Sequence, residues 1–382
     1  MSNYISEALS LAPELTALRQ AFHRHPELGN REFETSKRIE ACLNGWGIPT
    51  RRLLDTAVVG TLEGALPGPT VALRADMDAL PLQEATGVDF ASEVPGVMHA
   101  CGHDVHMAAA LGAARLLSAR RERLPGRVVF LFQPDEEGRG GAQRMIDTGV
   151  LEGVDAVFGA HVTPDLPVGH VGVRYGKFYA ASDTFRVTVR GKSAHGAQRE
   201  RGIDALGAAA ELVNRLIALP ESMPGERCVV SVGTFHAGTA ENALADEAVF
   251  AGIIRTLGPQ ARSELRQRFL QTADDTAAEW RARAECALRE SYPGVVNDDA
   301  MTALAERAAR KALGSEAVHV IDEPTMTTED FGCFLQVVPG SFYHIGAGCS
   351  LPLHNTGFLP DDRAIITAAA THAAVVEAFL FN

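Results

Sequence analysis

Four short runs rich in Val, Leu, Ala and Phe punctuate the stretch from residue 57 to 161: AVVGTLEG, TVALRAD, RVVFLFQ and DAVFGAH. Turn residues, or helical stretches such as 105–120, separate them. Runs this short and apolar read as strands buried on both faces. Alternating with helices, they imply an α/β chain with a mostly parallel sheet covered by helices. In such sheets ligands sit beyond the carboxyl ends of the strands. There this chain puts Asp76 and Asp78 after TVALR, Asp135, Glu136 and Glu137 after RVVFLF, and His161 after DAVFGA.

The texture changes along the chain. PELTALRQAFHRH and EFETSKRIEACLNGWG have helix-period apolar positions and are broken by HPELGN. Between about 180 and 292 the order becomes strand (SDTFRVTVRG), helix with Asp204 near its start, two strands (RCVVSVGTFHAG, EAVFAGIIRT), a long helix opened by Pro259, and a last strand (ECALRESYP). β-α-β-β-α-β is the order of a ferredoxin-like unit. The expected organisation is therefore one domain over 1–179 and 293–382, with a second domain, 180–292, inserted into it. The first domain ends in an alanine-rich helix, DRAIITAAATHAAVVEAFLF.

Composition narrows the function classes. With 46% hydrophobic and 22% charged residues the chain has the mix of a globular protein, and 382 residues exceed one ordinary domain. Net charge is −13 and no Lys/Arg cluster interleaves with aromatics, which argues against a nucleic-acid partner. No GxGxxG or GxxxxGK[ST] follows a strand, so nucleotide phosphates have no cradle. The six cysteines are scattered without a CxxC, unlike a disulfide framework. The N-terminus lacks a basic start with an apolar core, and no run reaches the roughly 18 apolar residues of a membrane helix. The expectation is a cytoplasmic protein with no membrane partner.

HACGHDVH, residues 99–106, packs three histidines, a cysteine and an aspartate before a helix, and so belongs on the same rim. PLHNTGF, with His354, follows the strand-like SFYHIGAG. Each feature has a structural alternative. The Glu pair can be a solvated patch, Asp76 and Asp78 can cap a turn, and His161 and His106 can be hydrogen-bonded core residues. Asp104 can be a helix N-cap, and Cys101 an inert thiol. Convergence on one rim favours metal ligation, and a thiolate with imidazoles favours a borderline ion such as zinc. An extra carboxylate points to metal-assisted hydrolysis, in which one glutamate ligates and its neighbour takes a proton from water. Two rivals stay open: a cysteine hydrolase with Cys101 as nucleophile and His103 as base, and a non-catalytic metal-binding or interaction protein.

HRHPELGNREFET, ADMDALPL, MHACGHDVHMAAALG, FQPDEEGRGGA, GAHV, GKSAHGA, TAENALADEA, GIIRT, TTEDF and LHNTGF stand in an order similar to that of the peptidase M20 family of metallohydrolases. The cysteine-containing HACGHD resembles its amidohydrolase branch: the hippurate hydrolases, N-acyl-amino-acid amidohydrolases and auxin-conjugate hydrolases. The likeness runs from about residue 17 to the C-terminus. It implies a hydrolase with two divalent metal ions (Zn or Mn) per subunit, a catalytic domain, and an inserted lid through which subunits form a homodimer. Cys101 resembles the bridging ligand, and His103, Glu137, His161 and His354 the others. Glu136 resembles the general base, acting on a metal-bridging water. Asp78 resembles an acid that orients the site, and Asp76 stands where other branches have a histidine ligand. His195 resembles the lid histidine that reaches substrate, supplied in dimeric relatives by the other subunit. Asn242 and Arg255 match lid positions linked with the substrate's carboxylate side. The implied reaction is hydrolysis of the amide bond of small N-acyl amino acids, hippurate-like or N-acetyl, with a dipeptidase as nearest competitor. The chain departs from the family at Asp135, where Ala is usual, at Thr356, where Pro is usual, and in HGAQRERG after the lid histidine, which bears on acyl and amino-acid preference.

Overall fold

The computed structural model describes residues 3–223 and 225–382. The chain divides into two compact units. The first holds the residues up to Gly176 together with Val296–Asp322 and Asp330–Asn382; the second holds Lys177–Val295 and a return segment, Glu323–Glu329. The return segment has no counterpart in the boundaries expected from sequence. It joins the second unit through backbone bonds, Thr325 N to Phe178 O at 2.9 Å and Ala180 N to Thr327 O at 3.0 Å. No local pattern announces such pairing.

An eight-stranded sheet organises the first unit, in the order Thr50–Leu53, Ala57–Glu63, Pro125–Gln133, Leu66–Asp76, Ala156–Thr163, Gly340–Gly346, Val171–Val173, Val318–Val320. The four central strands, from Pro125–Gln133 to Gly340–Gly346, are mutually parallel. Antiparallel neighbours flank them: Ala57–Glu63 on Pro125–Gln133, and Val171–Val173 on Gly340–Gly346. Every residue of Ala156–Thr163 is buried, as is every residue from Thr70 to Asp76. Burial on both faces is why these strands read as unbroken apolar runs rather than alternating ones. Because they run the same way, their carboxyl ends reach one rim. Asp76 pairs in register with Gln133, and His161 with His344.

Two apolar helices, His103–Ser118 and Arg363–Leu380, pack against each other and against the central strands. Gly112 sets their approach: a Cβ there would lie 2.8 Å from Ala369 Cβ and 2.8 Å from Leu15 Cδ1. Arg363–Leu380, with 18 residues, is long and apolar enough to cross a membrane by length and composition, contrary to the expectation that no run reaches that limit; 78% of it is buried. A helix apolar all round fits a core as well as a bilayer, and this one lies in the first unit's hydrophobic core.

The second unit follows the order strand Ala181–Arg190, helix Ala205–Ala218, strands Cys228–Ala237 and Glu247–Thr256, helix Pro259–Glu279, strand Arg283–Glu290. Its antiparallel sheet runs Arg283–Glu290, Ala181–Arg190, Glu247–Thr256, Cys228–Ala237. Phe185, Val187 and Val189 alternate inward to a core separate from the first. Asp204 caps the Ala205–Ala218 helix by accepting from Gly207 N at 3.0 Å.

Candidate metal centre

The HACGH turn is built around Gly102. Its φ is +85°, and a Cβ would meet Val162 Cγ2 at 2.4 Å, so a side chain is excluded both by conformation and by space. The turn brings buried Cys101 and His103 together, with His103 opening the helix. Asp104 does not cap that helix, contrary to one sequence expectation. Its carboxylate is taken by Arg19 Nε at 2.8 Å and His23 Nδ1 at 2.9 Å. Gly102 holds the cap position and the helix starts at His103, so Asp104 lies within its first turn.

Two histidines turn the same edge toward the site. His103 Nδ1 donates to Asp78 O at 2.8 Å, and His161 Nδ1 donates to Val162 O at 2.7 Å. Both bonds fix the tautomer that leaves Nε2 with its lone pair. His161 Nε2 lies 3.3 Å from Cys101 Sγ. His103 Nε2 is buried without a hydrogen-bond partner among the described residues. Burial disfavours charge on His103, but Asp76, Asp78 and Glu137 outweigh it and raise its pKa to about 10. The negative field that would hold a proton there equally suits a divalent cation. His161 is held well below the ordinary histidine range, first by burial and then by His106.

The DEEG turn faces this pair. Asp78 accepts from Glu136 N and Glu137 N with its two oxygens, each at 3.0 Å. Glu137 Oε1 lies 3.1 Å from His354 Nε2. Burial opposes the charge of Glu137, and His354 and His103 outweigh it, so its pKa lies below the usual value. His354 sits at φ +62° and is tied to the HACGH turn by His354 N donating to Ala100 O at 2.9 Å.

The donor atoms form two sets, each within 4.8 Å: Cys101, His103 and His161, and Cys101, Glu137 and His354. One sulfur is common to both. A third group, within the same limit, joins His103, Glu136 and Glu137. With a bare buried Nε2 and a soft-plus-borderline donor set, these residues fit a pair of divalent ions. Asp76 and His106 lie close by but are already committed. His106 Nδ1 donates to Asp76 Oδ1 at 2.6 Å while its Nε2 accepts from Val162 N at 2.9 Å. The other oxygen of Asp76 accepts from Arg74 Nη1 at 2.7 Å. His99 is fully buried, its pKa lowered to about 3 by burial, and the structure gives it no task.

The cysteine-nucleophile alternative fits poorly. The imidazole within hydrogen-bond distance of Cys101 Sγ is that of His161. Burial, with Glu137 and Glu136, pushes the thiol well above its usual value, opposite to an activated thiolate.

His195, Asn242 and Arg255 belong to the second unit. His195 and Asn242 are exposed on adjoining loops, joined by Gly196 N donating to Asn242 O at 2.7 Å. His195 Nδ1 accepts from Ala197 N at 3.1 Å, which leaves the proton of the neutral ring on Nε2. Arg255 is half-buried, with Nη1 donating to Ser182 Oγ at 2.6 Å.

Sequence inspection did not single out Arg19, His23, Glu32 or Arg74, all buried at 1% exposure or less. A signal existed for three of them. Arg19 and His23 share a helix face with buried Leu15 and Phe22, and Arg74 interrupts an apolar strand. Charges on core-facing positions are rarely idle.

Comparison with known proteins agrees with this geometry. Residues 72–378 match the family described as Peptidase family M20/M25/M40. The chain is 39% identical over 364 residues to the N-acetyl-L-cysteine deacetylase of Bacillus subtilis, covering 94% of this chain and 86% of that protein. It is 37% identical over 374 residues to thermostable carboxypeptidase 1 of Saccharolobus solfataricus, covering 95% and 94%. The crystal structure of the Bacillus subtilis YXEP protein, described as a dinuclear metal binding peptidase from the M20 family, superposes with a TM-score of 0.88 at 35% identity, covering 97% of this chain and 99% of that one. By fold, by sequence over most of its length and by the matched region, the chain is a member of peptidase family M20/M25/M40.

Proposed function

We propose that this protein is a dinuclear metal-dependent amidohydrolase that cleaves the amide bond of N-acyl amino acids. The observation that carries this reading is the single buried thiol of Cys101 common to two donor sets, with the Glu136 carboxylate beside them. Cys101, His103 and His161 would hold one ion and Cys101, Glu137 and His354 the other, zinc or manganese. When bound, the ions supply Lewis-acid polarisation of the scissile carbonyl and acidify water. Glu136 takes the proton of the attacking water and hands it to the leaving amine. Asp78, by holding both amides of the Glu pair, fixes the turn that carries base and ligand. His195 Nε2–H donates to the developing oxyanion, while Asn242 and Arg255 bind the carboxylate side of the substrate.

Likeness to a deacetylase of N-acetyl-L-cysteine supports the substrate class; likeness to a carboxypeptidase supports the dipeptidase alternative. A homodimer through the inserted lid is supported by the open outer edge of Cys228–Ala237, where Phe235 is 38% exposed. The deciding experiment is a screen of metal-reconstituted protein with N-acetyl and N-benzoyl amino acids and dipeptides. Turnover of the acyl amino acids is expected. Turnover of dipeptides alone transfers the assignment to a dipeptidase, and tight metal binding with no turnover makes the chain a metal-binding protein. Mixing inactive E136Q and H195A proteins tests the shared site. Partial recovery of activity is expected if His195 acts across subunits.

A further inference from the structure

We propose that Glu32 is a positioning residue for the turn that carries Glu136 and Glu137; this rests on the roles given to those glutamates above. Three consecutive amides of the turn end on two buried carboxylates. Asp135 N donates to Glu32 Oε1 at 3.0 Å, and Glu136 N and Glu137 N donate to the two oxygens of Asp78, each at 3.0 Å. Successive amides aimed to one side form an anion-binding concavity, here filled by side chains from two distant parts of the chain.

The turn needs this support because Asp135 is left-handed, at φ +58°. That region costs a non-glycine residue roughly 1–2 kcal/mol and persists only when its surroundings enforce it. The segment before Glu32 docks on the same residue. A Cβ on Gly29 would come within 2.2 Å of Asp135 Oδ1. Arg144 Nη1 bridges Asn30 Oδ1 at 2.5 Å and Asp135 Oδ2 at 3.4 Å. Glu32 is itself 0% exposed. It directly precedes the Phe33–Gly45 helix, yet its side chain makes no cap bond there; its Oε1 accepts from Asp135 N instead. A buried carboxylate is costly unless bonded, and this one is placed where its bond fixes the start of the catalytic turn. Release of Asp135 N would let the turn relax and move both glutamates, which must hold position to within about 0.5 Å to act together.

The test compares E32Q, which keeps an acceptor of the same reach, with E32M, which keeps the length and removes the acceptor. Three quantities are read: hydrogen exchange of amides 135–137 in metal-free protein, Co(II) titration followed by its absorption spectrum, and kcat and KM of the reconstituted enzyme. E32Q should match wild type. E32M should exchange the turn amides faster, bind the weaker Co(II) about tenfold or more less tightly, and lose kcat with KM within about twofold. Wild-type exchange and affinity in E32M would overturn the proposal. So would equal damage in E32Q, since the buried charge rather than the acceptor would then matter. If E32M does not fold, E32D, which withdraws the acceptor by one methylene, is held to the same outcomes. A wild type that binds Co(II) but hydrolyses nothing defeats the proposed function, while the exchange and titration arms still decide the role of Glu32.

Discussion

At the scale of single residues, Asp78 holds the amides of two neighbouring glutamates, Glu136 and Glu137, with its two oxygens. Replacing Glu136 by Gln should leave the Cys101, His103, His161, Glu137 and His354 donors intact. The expected result is wild-type metal content with kcat lower by about 10²–10⁴-fold, the range for loss of a general base. Near-full activity would remove Glu136 from that role. A second prediction concerns His23, whose ring nitrogens face Asp104 Oδ2 at 2.9 Å and Glu84 Oε1 at 3.1 Å. Two carboxylates require both nitrogens to donate, which is the imidazolium form. Burial works against that charge, but Asp104 and Glu84 outweigh it and raise the pKa from 6.5 to about 9. The folded state therefore binds this proton more tightly than the unfolded chain. The stabilisation is complete below pH 6.5 and is lost as pH rises through about 9, on the order of 3 kcal/mol in all. Urea unfolding at pH 6.5 and 9.5 should show the decline in wild type and a smaller one in H23Q. Equal slopes would mean the imidazolium is not the folded form.

At the scale of elements, local pattern told most where it coincided with burial. TVALRAD and DAVFGAH were legible as strands because each is buried on both faces, and Asp204 was legible at a helix start because its Oδ1 keeps the cap bond while Arg199 pairs with Oδ2. Asp104 was misleading, since it lies within the first turn and its carboxylate meets Arg19, from a helix some 85 residues away in sequence. The Glu323–Glu329 return segment was not legible at all, because its partners are backbone groups of 178–180 and backbone pairing leaves no compositional trace. Helix packing gives an element-scale prediction. Gly112→Val places two methyl groups where even a Cβ lies 2.8 Å from Ala369 Cβ. Overpacking of that kind costs about 1–3 kcal/mol, more than the helix propensity recovered by removing a glycine, about 1 kcal/mol at most. Thermal unfolding should show a lower Tm; an unchanged or higher Tm would mean the two helices can part without loss.

At the scale of the whole molecule, the two units have separate cores, and the donor sets lie in the first. Metal at 100 times its Kd should therefore stabilise the fold by about 2.7 kcal/mol per site, read as a rise in Tm on adding Zn(II) or Mn(II). That rise should be abolished by chelation and much reduced in C101S, which removes the donor common to both sets. A rise of equal size in C101S would contradict the shared thiol. Sequence alone determined the inventory: a parallel sheet whose strand ends deliver Asp, Glu and His to one rim, a glycine-hinged Cys-Gly-His beside them, and a second unit of β-α-β-β-α-β order. Strand and helix periods, turn glycines and donor types are local properties and can be read in order along the chain. Which donors remain available was decided only by the tertiary structure. His106 and His161 are both buried imidazoles on the same rim. Val162 N reaches His106 Nε2 from 56 positions away and occupies it, whereas the Val162 carbonyl takes the Nδ1 proton of His161 and leaves its Nε2 beside Cys101. A lone pair becomes a ligand only if no other group claims it, and those claims come from residues that are neighbours in space and not in sequence.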